Sequence, residues 1–304
     1  MRFSIYQDSL TGARHVNQDR MGYCFTRDSL LMLVADGMGG HLHGEVAAQI
    51  ALQTAASAFQ SMAQPALEDP AAFLELALRR GHREILRFQQ AHRLPEAPRT
   101  TIVACVVQNG LALWAHVGDS RLYWLRGGKV LARTRDHSKV QNLVDLGLLH
   151  PDETERHPDR NKVLNCLGSP CEPTVDIGGP QALRPGDRIL ICSDGVWGPL
   201  SAAELAATMS AEPIDSAVPR LVRQAVRLGS ELADNATALA MCWEGDEAGA
   251  HGVSSALVPD GAITTTIAVG VPEDAELGED TISDDEIERT ISEIREAIAR
   301  TGGQ

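Results

Sequence analysis

Two tight hairpin turns constrain the fold of this chain of 304 residues more than any other feature of its sequence. Asn109-Gly110 separates the strand-like stretches 101–108 and 111–116, and Gly127-Gly128 separates 122–126 from 129–133. Such dipeptides between β-rich runs are typical of two-residue turns that join antiparallel strands. Parallel strands would need crossover connections of about a dozen residues or more. The chain is therefore predicted to contain a mainly antiparallel sheet.

Helix-like segments fall in two blocks around these hairpins. An Ala-rich segment (44–62) and a second long helix (70–91) precede them, and two more helices follow, one opened by a Ser201–Glu204 capping box and one over 217–229. Short apolar runs at 30–35, 188–192 and 237–243 predict buried strands. Strands paired through tight turns, with helices in separate blocks, favour an α+β fold over a doubly wound parallel sheet.

Charge divides the chain into two parts. The net charge is −14, and the 60 residues from Gly245 onward carry fourteen acidic and three basic residues. We expect a folded domain over 1–244, a disordered acidic linker over 245–282, and a short amphipathic helix over 283–301. That helix is predicted from Ile287, Ile291, Ile294 and Ile298, which recur at helical spacing. The acidic balance argues against a nucleic-acid partner.

Other bulk features point to the cytoplasm. The sequence has no apolar run of about 18 residues and no signal pattern at its start, so neither a membrane span nor export is expected. Its six cysteines are scattered through mostly apolar stretches, which is typical of reduced thiols in a core.

Aspartates fall at the ends of the predicted strands. Asp36, Asp119 and Asp194 each follow a strand, Asp234 precedes one, and Asp19 is placed in an early polar turn. Each signal alone is weak, because an Asp-Gly pair is usually only a turn. Together they predict a cluster of carboxylates above a sheet edge. Such a cluster is costly unless cations neutralise it, and oxygen ligands select Mg²⁺ or Mn²⁺.

Eight short motifs connect these aspartates to a known family. Their order resembles that of the PP2C family of metal-dependent protein serine/threonine phosphatases, in its bacterial branch, and the resemblance covers about residues 1–244. The motifs are RHVNQD at 14–19, ADGMGGH at 35–41, RTT at 99–101, HVGDSR at 116–121, DHS at 136–138, LRPGD at 183–187, CSDGVW at 192–197 and DNAT at 234–237.

The resemblance implies a fold and a set of roles. The fold would be a central antiparallel β-sandwich flanked by helix pairs in α-β-β-α layers, with a short flap. Two or three Mn²⁺ or Mg²⁺ ions would activate the water that attacks the phosphate. Arg14 would grip the phosphate with its planar fork, and Asp19 would orient the water. The implied metal ligands are Asp36, the Gly37 carbonyl, Asp119, Asp194 and Asp234.

Two positions depart from the family pattern. Met38 stands where the animal branch has a His that is thought to protonate the leaving group, and His41 is the nearest substitute. His41 is therefore a candidate general acid, although a loop His is more often structural and a coordinated water could do the same work. Gln18 stands where Glu is common, so one charge near the second metal would be missing.

Two segments of the sequence each allow two interpretations. Residues 139–160 match the position of the family's flap, and they are either a mobile lid that discriminates substrates or an ordinary surface excursion. The tail is either a solvated acidic extension or, through Thr281 followed by Asp284, a phosphorylated ligand for a forkhead-associated-domain protein.

The leading functional prediction is hydrolysis of phosphoserine and phosphothreonine on protein substrates, opposing a bacterial Ser/Thr kinase. The alternative is a catalytically weak regulatory or binding module of the same fold. It is disfavoured because Asp36, Asp119, Asp194 and Asp234 are all present. A third possibility is a metallohydrolase of small phosphoesters.

Overall fold

The computed structural model describes residues 1–38, 43–245, 253–255, 258 and 262–267. Its strands are β1 Arg2–Leu10, β2 Asp19–Phe25, β3 Ser29–Asp36, β4 Ile102–Gln108, β5 Leu111–Val117, β6 Arg121–Arg126, β7 Lys129–Arg133, β8 Asp176–Ala182, β9 Arg188–Cys192, β10 Ala236–Gly245, β11 Val253–Ser254 and β12 Thr264–Thr265. Its α-helices are α1 Gly44–Met62, α2 Pro70–Ala91, α3 Lys139–Asp145, α4 Asp194–Trp197, α5 Ala202–Ala211 and α6 Ile214–Gly229.

The strands form two six-stranded antiparallel sheets. The first sheet has the order β11-β1-β10-β9-β6-β7 and the second the order β12-β2-β3-β4-β5-β8. Both predicted hairpins are present, β4–β5 in the second sheet and β6–β7 in the first. The predicted α+β fold with an antiparallel β-sandwich is confirmed.

Three apolar clusters hold the layers together. The cluster between the sheets includes Phe3, Met32, Trp114, Ile189 and Leu239. A second cluster packs α1 and α2 onto the second sheet, and a third packs α5 and α6 onto the first. Side chains of a strand alternate between its two faces, so a strand of the sandwich buries one face against the other sheet and one against helices. This explains why β3 and β4 are apolar almost throughout.

Helix ends follow the sequence signals closely. Asp69 caps α2 by accepting hydrogen bonds from the backbone N–H groups of Ala71 and Ala72 at 2.9 and 3.0 Å, and Pro70 occupies the first turn. The predicted bounds of α1 and α2 match the structure. The Ser201–Glu204 capping box opens α5 as predicted.

The N-terminal strands were not predicted. Asp19 is the first residue of β2, directly opposite Asp36 of β3, so its prediction as part of a polar turn is wrong. β1 escaped detection because it mixes polar and apolar residues without a clean period of two. β1 is held in the first sheet by antiparallel pairing with β10 along its whole length.

Part of the segment predicted as a disordered acidic linker carries strands. Thr264 and Thr265 pair with Phe25 and Cys24 at the edge of the second sheet, and β11 pairs with β1 at the edge of the first. Ile267 is only 5% exposed and joins the cluster beneath α1 and α2. The helix predicted over 283–301 and Thr281 lie outside the described residues.

The flap lies between β7 and β8. Ser138 caps α3 by accepting a hydrogen bond from the Gln141 N–H, and a 3-10 turn follows at Pro151–Arg156. Asp159 ties the segment together by pairing with Lys139 and Lys162 at 2.5 and 2.7 Å. Among the helices in the described part of the chain, none is long and apolar enough to cross a membrane.

Candidate active site

The five predicted aspartates come from strand ends in both sheets. Asp19 and Asp36 face each other across the β2–β3 pair of the second sheet. Asp194 begins α4 just after β9, and Asp234 lies just before β10 in the first sheet. Asp119 occupies the turn between β5 and β6, which links the two sheets. The chain thus brings carboxylates from distant positions to one end of the sandwich.

The charges of these carboxylates act on one another. Burial, followed by the charge of Asp234, raises the pKa of Asp194 to about 6. Burial is also the largest cause for Asp36 and Asp119, whose pKa values lie well above their ordinary range, and Asp194 adds to both shifts. A site that holds several poorly solvated carboxylates together is built for cations.

Arg14 and Asp234 form a bidentate ion pair. The guanidinium Nε and Nη2 donate to the two carboxylate oxygens at 2.9 and 2.8 Å. The pair is about half exposed, with Arg14 56% and Asp234 40% exposed in their side chains. The residue predicted to grip phosphate therefore lies at the carboxylate cluster, where it neutralises one predicted metal ligand.

Asn235 holds the loop that carries Arg14. Its amide Nδ2 donates to the carbonyl oxygens of Thr11 and Val16, and its Oδ1 accepts from the Gln18 N–H at 2.8 Å. A Cβ on Gly195 would lie 2.0 Å from the Asn235 carbonyl oxygen, so this approach requires glycine. The motif at 234–237 revealed Asp234 but gave no sign of this positioning role.

Asp19 is buried, with one carboxylate oxygen bonded and the other without a partner. Ser193 Oγ donates to its Oδ2 at 2.7 Å, while its buried Oδ1 has no hydrogen-bond partner. Burial raises the pKa of Asp19 to about 7, and the charges of Asp194 and Asp234 contribute. A buried oxygen left without a partner is expensive, so Oδ1 is an unused acceptor beside the carboxylate cluster.

Trp197 supports the Asp119 turn. Its indole Nε1 donates to the Asp119 carbonyl oxygen at 3.0 Å, and the Arg121 guanidinium lies 3.4 Å from the ring centroid. Arg121 in turn donates to both oxygens of Asp136 at 2.8 and 2.6 Å. The family motifs contain all of these residues, but only the structure reveals the stack that they form.

A carboxylate lies near the position where the sequence analysis expected one to be missing. Gln18 Nε2 donates to Glu45 Oε2 at 3.0 Å, and Glu45 lies in the first turn of α1. The Gly37 carbonyl belongs to the tight segment after β3, where an added Cβ would lie 2.5 Å from the Gly44 backbone. His41, the candidate general acid, lies outside the described residues.

A second group of possible ligands lies at the base of the flap. His116, His137 and Asp176 bring three ligand atoms within 4.8 Å of one another. However, His137 Nδ1 accepts hydrogen bonds from the Gly118 N–H and from Asn165 Nδ2, at 3.2 and 2.7 Å. A neutral His137 must then carry its proton on Nε2, which faces Asp176 at 3.2 Å. The trio therefore fits an anchor of the flap better than a cation site.

Most of the chain is similar in sequence to known proteins. The family model described as "Protein phosphatase 2C" matches residues 8–225. Serine/threonine protein phosphatase PstP of Mycobacterium tuberculosis is 36% identical over 208 residues, which cover 68% of this chain and 39% of that protein. Protein phosphatase PhpP of Streptococcus pneumoniae is 31% identical over 219 residues, which cover 70% of this chain and 87% of that protein.

A solved relative agrees with the sequence matches. The crystal structure of the PstP catalytic domain in complex with two manganese ions superposes with a TM-score of 0.66 at 31% identity, and the match covers 79% of this chain and 98% of that chain.

Proposed function

The chain belongs to the protein phosphatase 2C family, and from this we propose that it hydrolyses phosphoserine and phosphothreonine on proteins, using water activated at a divalent-cation centre. One observation carries the proposal. Carboxylates from both sheets lie at one end of the sandwich, and burial and mutual repulsion raise their pKa values. Such a cluster is stable as carboxylates only around bound cations. The relative whose structure holds two manganese ions supports Mn²⁺ or Mg²⁺ as those cations.

The donor set fits this cofactor. Asp36, Asp119, Asp194, Asp234 and the Gly37 carbonyl are all oxygen ligands, and the unpartnered Asp19 Oδ1 adds an acceptor for water. Bound divalent cations would supply charge neutralisation of the phosphate and a lowered pKa for water.

Arg14 and Asp19 have separate roles in this proposal. The Arg14 guanidinium exchanges its hydrogen bonds with Asp234 for hydrogen bonds with the phosphate oxygens. Phosphate oxygens fit its planar, bidentate geometry as well as carboxylate oxygens do. Asp19, fixed by Ser193, orients the attacking water and holds its proton. His41, which follows the Asp36-Gly37 motif closely and lies outside the described residues, is the candidate for protonating the leaving oxygen.

The experiment measures phosphate release from a phosphothreonine peptide with Mn²⁺, with Mg²⁺ or with EDTA. Activity should require metal, and Asp194→Ala should lower kcat at least about a hundredfold because a cation ligand is lost. Asp215→Ala, an exposed carboxylate change on α6, is the matched control and should leave the rate unchanged. If the folded chain showed no activity with any metal, the regulatory-module alternative would replace this proposal.

The setting of the reaction is part of the proposal. We propose that the protein acts in the cytoplasm, within signalling, against phosphate groups placed by a Ser/Thr kinase. Phosphorylated Thr281 would offer a forkhead-associated-domain protein a ligand. Thr281→Ala under phosphorylating conditions tests this second point, because unchanged partner binding would exclude it.

A further inference from the structure

A groove leads away from the carboxylate cluster. It encloses about 530 Å³ and runs between the flap and the α4–α5 segment, with Asp194 and Asp234 in its lining. Apolar side chains from both walls line it further along, among them Val140, Val144 and Leu200. An extended peptide advances about 3.3 Å per residue, so residues flanking a phosphorylated side chain would enter this groove.

Two arginines, Arg133 and Arg160, are among the side chains that line this groove. Arg133 ends β7 and Arg160 lies in the flap, and both line the groove and are exposed. Among the described side chains, neither forms an ion pair or a side-chain hydrogen bond with a carboxylate.

The neighbouring charges are compensated. Arg121 is paired with Asp136, and Arg135 with Asp145. The carboxylate of Asp159 lies between Lys139 and Lys162, and hydrogen bonds from these two ammonium groups, aided by their charges, lower its pKa to about 2. Among the three arginines that line the groove, Arg133 and Arg160 are therefore the two that pair with no carboxylate of the described residues.

We propose that Arg133 and Arg160 form a subsite for an anionic side chain, a carboxylate or a second phosphate, next to the phosphorylated residue of the substrate. The inference rests on the proposed function, because it assumes that a phosphoprotein segment occupies the groove. Guanidinium groups bind carboxylate and phosphate oxygens in the same bidentate geometry, so both anions suit the subsite. Multiply phosphorylated or acidic segments are thus the preferred substrate class.

The test compares peptides that differ only in the residues flanking one phosphothreonine. Glu, phosphoserine, Gln or Lys is placed at each flanking position in turn, and kcat/KM is measured at saturating Mn²⁺ and low ionic strength. Exposed ion pairs are weak, so we expect Glu to exceed Gln about threefold to tenfold at the best position, with phosphoserine higher still. Arg133→Gln with Arg160→Gln should bring both ratios to about one and leave the Gln peptide unchanged.

Arg223→Gln is the matched control, since Arg223 is an exposed arginine on α6 outside the groove. In this variant, the kcat/KM of the Glu and phosphoserine peptides relative to the Gln peptide should be unchanged. Equal rates for Glu and Gln peptides would overturn the subsite, and so would an equal loss of preference in Arg223→Gln, because general attraction would then explain it.

A binding measurement separates this inference from the proposed function. Peptides with a non-hydrolysable phosphonate in place of the phosphate report affinity by fluorescence anisotropy without turnover. If no peptide were hydrolysed but Glu peptides still bound more tightly through Arg133 and Arg160, the subsite would stand and the proposed function would fail. If all peptides were hydrolysed at one rate and bound equally, the proposed function would stand and the subsite would fail.

Discussion

The proposed role of Asp19 in the chemistry of the site conflicts with the stability of the fold. It lies 4% exposed at the start of β2, bonded to Ser193, with its second oxygen unpartnered. An unfolded chain solvates this carboxylate fully, whereas the fold desolvates it beside Asp194 and Asp234. The residue that would orient water is therefore one that the fold tolerates poorly when it is charged.

The raised pKa of Asp19 predicts that the free energy of unfolding depends on pH when EDTA keeps the protein free of metal. The folded-state pKa of Asp19 is about 7, against an ordinary value of 3.8, so the folded protein holds an extra proton between these values. The free energy of unfolding should then fall as pH rises through this window, by an amount on the order of a few kcal/mol. Asp19→Asn mimics the protonated carboxyl and should lose less stability. Urea denaturation at pH 5 and pH 8 measures both slopes.

Saturating Mn²⁺ serves as the internal control for this prediction. Cations that offset the carboxylate charge should remove most of the wild-type decline with pH. A wild-type slope in EDTA equal to that of Asp19→Asn would show that Asp19 titrates near its ordinary pKa.

Helix α5 carries a stability prediction that comes directly from its sequence. Ser201 Oγ accepts from the Glu204 N–H at 3.3 Å, and the Ser201 N–H donates to Glu204 Oε2 at 2.9 Å. Ser201→Ala removes the side-chain acceptor and should lower the free energy of unfolding by about 1 kcal/mol. Ser201→Thr keeps a hydroxyl at this position and should retain most of the stability. Chemical denaturation of the three proteins measures the difference, and a Thr variant as weak as the Ala variant would argue against capping.

Elements with local signals were predicted, and elements that depend on distant partners were not. Asn109-Gly110 fixes its hairpin through turn geometry alone, and α2 shows its start at Asp69-Pro70. By contrast, β1 is a strand because β10 lies beside it, more than 220 residues later in the sequence. No local pattern encodes such pairing, because its energy comes from contacts that form only in the folded chain.

The candidate active site also divides into residues that local motifs predicted and contacts between distant residues that they did not. Asp36, Asp119, Asp194 and Asp234 were predicted because each follows or precedes a predicted strand, and Asp19 because it belongs to a recognisable motif. The Arg14–Asp234 ion pair and the Trp197–Arg121 stack could not, since each joins residues at least 76 positions apart. Glu45 was missed as the partner of Gln18 because it belongs to a helix with no motif of its own.

At the scale of the molecule, the segment after β10 covers one edge of each sheet. β11 covers the edge at β1, and β12 covers the edge at β2. Ser255 is fully buried, and its Oγ contacts the backbone carbonyls of Met1 and Arg27 at 3.1 and 2.5 Å. Exposed edge strands invite pairing with other chains, so these additions protect a two-sheet fold from association.

The contribution of this segment can be measured by truncation. A chain ending at Gly245 loses β11, β12 and the buried Ile267, whose burial alone is worth about 1.5–3 kcal/mol. We expect it to unfold at lower denaturant than a chain ending at Val269, and to self-associate more readily because β1 and β2 become exposed edge strands. Ile267→Ala in the full chain is the matched control and should reproduce part of the loss of stability without the association. If the two truncated chains were equally stable and equally monomeric, β11 and β12 would not be needed to protect the sheet edges. The folded domain would then end at β10, as the composition of the sequence first indicated.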